Sequence, residues 1–135
     1  MSNERYTYAN QQFLSGQLAW LTDTFKVLLV DTDNYTFVKN VDRHLADVPL
    51  SARIGVSAAL GSKTATDGVA RAGNVTINSV TGPVIEAIVI FHDTGNDATS
   101  ELVCYLDTGI GLPWNPQGAN VVIHWDTGPN GIFKL

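Results

Sequence analysis

Residues 85–95 read IEAIVIFHDTG, and the fold class of the chain turns on how that stretch folds. Ile85 to Phe91 is an apolar run too short for a helix, rich in isoleucine and valine, and it predicts a strand. Asp93-Thr94-Gly95 then predicts a turn, because aspartate bonds its own backbone two residues on and glycine accepts a positive φ. The same construction recurs as VCYLDTG at 103–109 and VIHWDTG at 122–128. Three strands each running into a turn, with no helical pattern between them, exclude a βαβ architecture and predict antiparallel pairing.

Outward from this segment the pattern continues. Val75 and Ile77 alternate with Asn74, Thr76 and Asn78, as in a strand with one wet face. Phe25 to Asp31 (FKVLLVD) reads as a buried strand, Tyr35 to Val38 as an extended run, and Arg53 to Leu60 as another strand. Gly61 to Gly68 reads as loop. Asp42 to Asp47 predicts one helical turn stopped by Val48-Pro49, since the residue before proline avoids the helical region. One helix is predicted over Tyr8–Leu21, where Leu14, Leu18 and Leu21 share a face, although Gly16 weakens it. The expected fold is therefore mostly β: one domain over residues 1–135, an antiparallel sandwich or barrel-like structure with one short N-terminal helix. Residues 1–12 are read as an N-terminal arm, with Tyr6 and Tyr8 ordering on a partner, against the alternative of a frayed terminus.

Composition narrows the function. Eight basic and thirteen acidic residues give a net charge of −5, which argues against a nucleic-acid partner, since phosphate binding needs a basic face. No window approaches the ~20 apolar residues that span a bilayer. The start, MSNERYTYANQQ, lacks a basic segment followed by an apolar core, so no secretory signal is expected. The single cysteine, Cys104, excludes an internal disulfide framework and points to folding in a reducing cytosol. Charged residues make up only 16% of the chain, against ~25% in an average soluble protein.

The chemistry-bearing residues do not assemble into a familiar motif. A strand ending in Asp-Thr-Gly is how an aspartic protease presents its carboxylate, and a chain of this length would make that dyad as a homodimer. Three copies favour plain turns, because a protease half needs one. Asp31-Thr32-Asp33-Asn34 opens like a calcium loop, but Thr36 and Asp42 stand where glycine and glutamate are required. A looser ion site at Asp31, Asp33, Asp93 or Asp97 competes with the commoner reading of solvated turn aspartates. His44, His92 and His124 lack metal-ligand spacing; His92 and His124 with an aspartate would form a site only if their strands paired. No nucleophile elbow or phosphate loop is present. The reading expects no enzyme, no catalytic or metal residue and no cofactor.

Several segments, taken in order, carry a resemblance over about Phe13 to Leu135. They are FLSGQLAWLTDTFKVLLVDTDNYTF, HLADVP, ARIGVSAALGSKTATDGV, EAIVIFHDTG and the terminus YLDTGIGLPWNPQGANVVIHWDTGPNGIFKL. This order resembles a family of small virion structural proteins of tailed bacteriophages. The resemblance implies a capsid decoration or cement protein made in the bacterial host cytoplasm and carried in the virion. It would form a symmetric homo-oligomer, expected as a trimer, on the major capsid protein. The alternative it leaves open is a tail, fibre or adaptor component touching the host surface. Low charge suits buried interfaces, whose centres are depleted in charged residues and enriched in aromatics. Trp114, between Pro113 and Asn115-Pro116, is a candidate anchor, weighed equally against a loop residue folded onto its own core. Asparagines beside an exposed tryptophan also suit contact with a carbohydrate.

Overall fold

The computed structural model describes residues 3–107, 112–125, 128–129 and 131–135. Among these residues, nine strands and one α-helix follow in chain order. They are β1 (Asn3–Arg5), α1 (Thr7–Leu14), β2 (Phe25–Val30), β3 (Arg53–Val56), β4 (Val69–Ala70), β5 (Val75–Ile77), β6 (Ala87–His92), β7 (Leu102–Leu106), β8 (Val121–Ile123) and β9 (Phe133–Lys134). All pairings are antiparallel. One five-stranded sheet has the order β1-β7-β6-β2-β3, and two-stranded ribbons pair β4 with β9 and β5 with β8. The mostly-β expectation, with one short helix, describes the molecule.

The opening stretch becomes β6, at the centre of the large sheet. Every residue from Ala87 to Phe91 is buried, as is all of β7 and all of β2 except Lys26. A strand covered on both faces has no wet positions to fill, so its sequence is a continuous apolar run rather than an alternation. The peripheral β5 does alternate, with Val75 and Ile77 buried and Thr76 exposed. Past Val56 the chain still follows β2, through Ser57 N–H to Val27 O (2.9 Å) and Leu60 N–H to Phe25 O (2.8 Å), which accounts for the extended reading as far as Leu60. The helical turn expected before Val48-Pro49 is a single 3₁₀ turn, Leu45–Asp47, and Val48 is extended.

Three expectations are corrected. The helix ends at Leu14, seven residues early, because the chain reverses at Gly16 with φ +79°. Leu14 is 91% exposed and Leu21 57% exposed; of the predicted face only Leu18 enters the core. Tyr35 to Val38 pairs with no strand, although Tyr35 is buried and Phe37 packs on the core. The N-terminus is built into the fold from Asn3 onward rather than extending as an arm. β1 pairs with β7 in the register Arg5↔Cys104, and Tyr6 N–H continues the ladder to Val103 O at 3.0 Å.

Tyr6 is fully buried and starts a polar chain under the sheet. Its hydroxyl lies 2.8 Å from that of Tyr35, which donates to Asp42 Oδ2 at 2.7 Å. Phe37 meets the Tyr6 ring edge-on and stacks on Tyr105 with centroids 4.4 Å apart. A second aromatic group ties the C-terminal ribbon to the large sheet: Phe133 on β9 packs against Phe13 and Trp20, and Trp20 against Phe25. The indole N–H of Trp20 reaches Thr64 O at 3.0 Å, so that side chain also anchors the 61–68 loop.

Candidate interaction surface

The first Asp-Thr-Gly is a turn closed by its own aspartate. Asp93 Oδ1 accepts the Gly95 N–H at 3.0 Å, and its Oδ2 pairs with Lys26 Nζ at 2.7 Å. The lysine and that N–H hold the carboxyl below its usual range, which suits an ion-paired turn residue rather than a proton-sharing dyad. Thr94 Oγ1 is engaged by Asn96, Thr99 and Ser100. In the other copies Thr108, Gly109, Asp126 and Thr127 lie outside the described residues. Asp93→Asn is expected to lower stability at neutral pH by less than about 1 kcal/mol, because the pair is partly solvated. A carboxyl with a lowered folded pKa stabilises above its unfolded pKa and loses that contribution as pH falls. The variant should therefore show a shallower acid-side decline in urea midpoints.

The histidines do not converge. His92 ends β6 in the large sheet, whereas His124 follows β8, whose partner is β5. The two strands do not pair with each other, and the two-histidine metal arrangement does not form. His92 instead joins structural acids: Nδ1 is 2.8 Å from Glu101 Oε1 and Nε2 is 4.0 Å from Asp23 Oδ2. Glu101 Oε2 accepts from Gln12 Nε2 at 3.2 Å, linking the cluster to α1. No serine, threonine or cysteine among the described residues bonds a histidine. Cys104 is buried, and burial pushes its thiol up to about 12, the opposite of nucleophile activation.

Asp31 and Asp33 approach Glu86 of the segment before β6, with one carboxylate oxygen of each within 4.8 Å of the others. Sequence spacing linked the two aspartates but not the glutamate, which pairing of β2 with β6 brings in from 55 positions away. Asp31 is occupied by its own turn, accepting the Asp33 N–H at 3.0 Å and the Asn34 Nδ2 at 2.9 Å.

Of the three aromatic residues singled out as contacts, the fold removes one. Tyr6 is wholly inside and presents nothing to a partner. Tyr8 is half-buried on the surface, its ring 4.9 Å from the Arg43 guanidinium carbon and 5.3 Å from the His44 ring. Trp114 is half-buried. Its backbone bridges Ile85 through two hydrogen bonds of 2.8 and 2.9 Å, and the residue helps line a depression of about 300 Å³. Compared with protein-family models and with curated proteins, the chain matches none. Among the described residues, no helix is long and apolar enough to cross a membrane.

A further surface escaped sequence reasoning. Phe13 and Leu14 at the end of α1, with Leu135, Arg5 and Asn10, line an open groove of about 370 Å³. Leu135 is 62% exposed, so with Leu14 the groove offers apolar side chains to solvent. The helical pattern suggested that Leu14 faced inward. Only the stop at Gly16 and the arrival of the C-terminus from across the chain make this a surface.

Proposed function

We propose that the chain is a structural protein of a tailed-bacteriophage virion. In this reading it decorates the assembled capsid as a symmetric oligomer, a trimer, bound to the major capsid protein. The observation that carries the reading is the Phe13–Leu14–Leu135 groove, an exposed apolar surface beside a rigid β framework. Apolar area removed from water on docking stabilises the bound state by roughly 25 cal/mol per Å². Oligomers of this kind bind the shell and not its dissociated subunits, so they stabilise it by mass action. The titratable residues support the same view. Asp93 is engaged in an ion pair and a turn, His92 and Glu101 in a mutual hydrogen bond, and Asp31 in its own turn.

Capsids prepared with and without the protein test the proposal. Bound copies should raise the capsid melting temperature, and Leu14→Ser should lower occupancy without unfolding the isolated chain, since Leu14 is almost fully exposed. Purified heads that carry no copies, or an unchanged melting temperature, would end the proposal. The second reading, a tail or fibre component at the host surface, is favoured by the Trp114 depression. Copy number separates the two: shell stoichiometry follows the capsid lattice and tail stoichiometry follows the tail axis.

A further inference from the structure

We infer that the depression at Trp114 is a binding site for a neutral saccharide. The three tryptophans differ in how their indole N–H is used. Trp20 donates to Thr64 O and Trp125 donates to Gly73 O, both at 3.0 Å. Trp114 makes no side-chain hydrogen bond with the described residues, and no buried polar side-chain atom is left without a partner. Among the described residues its N–H is therefore neither sealed in the interior nor taken by a partner. A tryptophan with an apolar body packed on the core and a wet polar tip is suited to a ligand that is itself apolar on one side and polar on the other.

The surroundings define that ligand further. Pro113, Pro116 and Val122 contribute apolar wall, and Val122 is 41% exposed. Asn115 and Asn120 contribute amides, each able to donate and accept. Asn120 Oδ1 already accepts the Ser79 N–H at 3.0 Å, while its NH₂ has no partner among the described residues. No charged residue lines the depression among the described residues, so it offers nothing to balance a phosphate, sulfate or carboxylate. A pyranose ring meets these terms. Its C–H face lies on an indole or proline, and its hydroxyls both donate to and accept from amides. The volume is at the low end of small-ligand sites, the scale of one or two sugar rings.

The frame is also held in place before any ligand arrives. One side is fixed by the paired hydrogen bonds between Trp114 and Ile85, and Ile85 is fully buried. The other side is the Pro116–Ala119 turn, closed by Ala119 N–H to Pro116 O at 2.9 Å. That turn is pinned to Val80 by bonds of 2.7 and 3.0 Å. Little ordering is left to oppose binding, so a small contact area suffices for weak, specific affinity. The inference does not depend on the capsid proposal, because it concerns the isolated chain.

The test is a titration of the full chain with maltotriose, cellotriose and chitotriose, followed by the three indole N–H resonances and by calorimetry. At least one of these sugars should saturate with a Kd on the millimolar scale, about −4 kcal/mol, moving the Trp114 resonance and leaving those of Trp20 and Trp125 in place. Trp114→Ala should abolish binding. Trp114→Phe keeps a ring on the core and should weaken it severalfold, and Asn115→Ala, at an exposed position, should weaken it with the melting temperature unchanged. Failure of all three sugars to bind would overturn the inference. So would a Trp114 resonance that responds only to a proline-rich peptide or to a heparin fragment.

Discussion

Tyr6→Ala is expected to cost the fold about 3–5 kcal/mol, the range for truncating a buried aromatic side chain. The loss should appear as a melting temperature lower by on the order of 10 °C or more. Tyr6 lies five positions from the start, where an unpaired terminus would tolerate any substitution. Here its backbone extends the β1–β7 ladder, its ring is met edge-on by Phe37, and its hydroxyl bonds Tyr35. Tyr6→Phe keeps the ring and removes only the hydroxyl, so it should cost about 1–3 kcal/mol, the value of a buried hydrogen-bonding group left unmatched. A loss below about 1 kcal/mol for the alanine variant would show that residues 3–6 do not belong to the core.

The same network gives the fold an alkaline limit. Burial first, and then the neighbouring Tyr35, hold the Tyr6 hydroxyl well above its ordinary pKa. Burial raises Tyr35 as well, and it pushes Tyr105 up to about 12, with Asp107 and Glu86 adding to the effect. In the unfolded chain these tyrosines release their protons near pH ~10. Above that pH the unfolded state binds fewer protons than the folded one, so stability is complete below it and falls as pH rises further. Denaturant midpoints should decline on the alkaline side, and Tyr6→Phe, lacking one of these groups, should decline less steeply from its lower starting point.

What could be read in the sequence followed the distance over which each feature is decided. β2, β6 and β7 were legible because burial on both faces forces near-continuous apolar runs, broken in β2 by Lys26 and ended in β6 by His92, a property of each segment alone. The Asp93 turn was legible because its hydrogen bonds close within two residues. β1 was not, since Asn3-Glu4-Arg5 is polar and three residues long. Its strand character comes from the β7 edge about a hundred positions away, and the one local hint was an aromatic residue directly after it. The leucine spacing at 14, 18 and 21 misled for a related reason. Periodicity assumes that the helix continues, and one glycine in the left-handed region ended it, so that of the predicted core face Leu18 is buried, Leu21 is exposed and Leu14 lines the groove. At the candidate surface, Trp114 was legible as a residue type in a proline-flanked loop. Among the described residues its indole has no partner and the walls around it no charge, an arrangement that depends on the Ile85 bridge and the Val80 contacts, which no local pattern records.

The second large effect is expected at Gly131, where two penalties can be separated. Its φ is +54°, and a side-chain carbon there would stand 2.6 Å from Val69 Cγ1 and 2.7 Å from Ala70 O. That carbonyl accepts the Ile132 N–H at 2.9 Å, the contact that brings the C-terminal segment onto β4. Gly131→Ala must therefore pay for a left-handed alanine, about 1–2 kcal/mol, and also push β4 and β9 apart. The second penalty has the character of overpacking, about 1–3 kcal/mol, and cannot relax by rotating a flexible side chain because one of the atoms is backbone. Gly95→Ala is the control. Gly95 has φ +85° with nothing within 4 Å of the added carbon, so it meets the left-handed cost alone. The difference between the two variants in denaturant unfolding should be about 1–3 kcal/mol, with Gly131→Ala the less stable. Because β9 carries Phe133 onto Trp20, parting the ribbon should also change the Trp20 environment, visible as a near-ultraviolet dichroism change in Gly131→Ala and not in Gly95→Ala. Equal losses in the two variants would mean that the chain at Gly131 does not approach β4 this closely, and that the ribbon is held by the Phe133 contact instead.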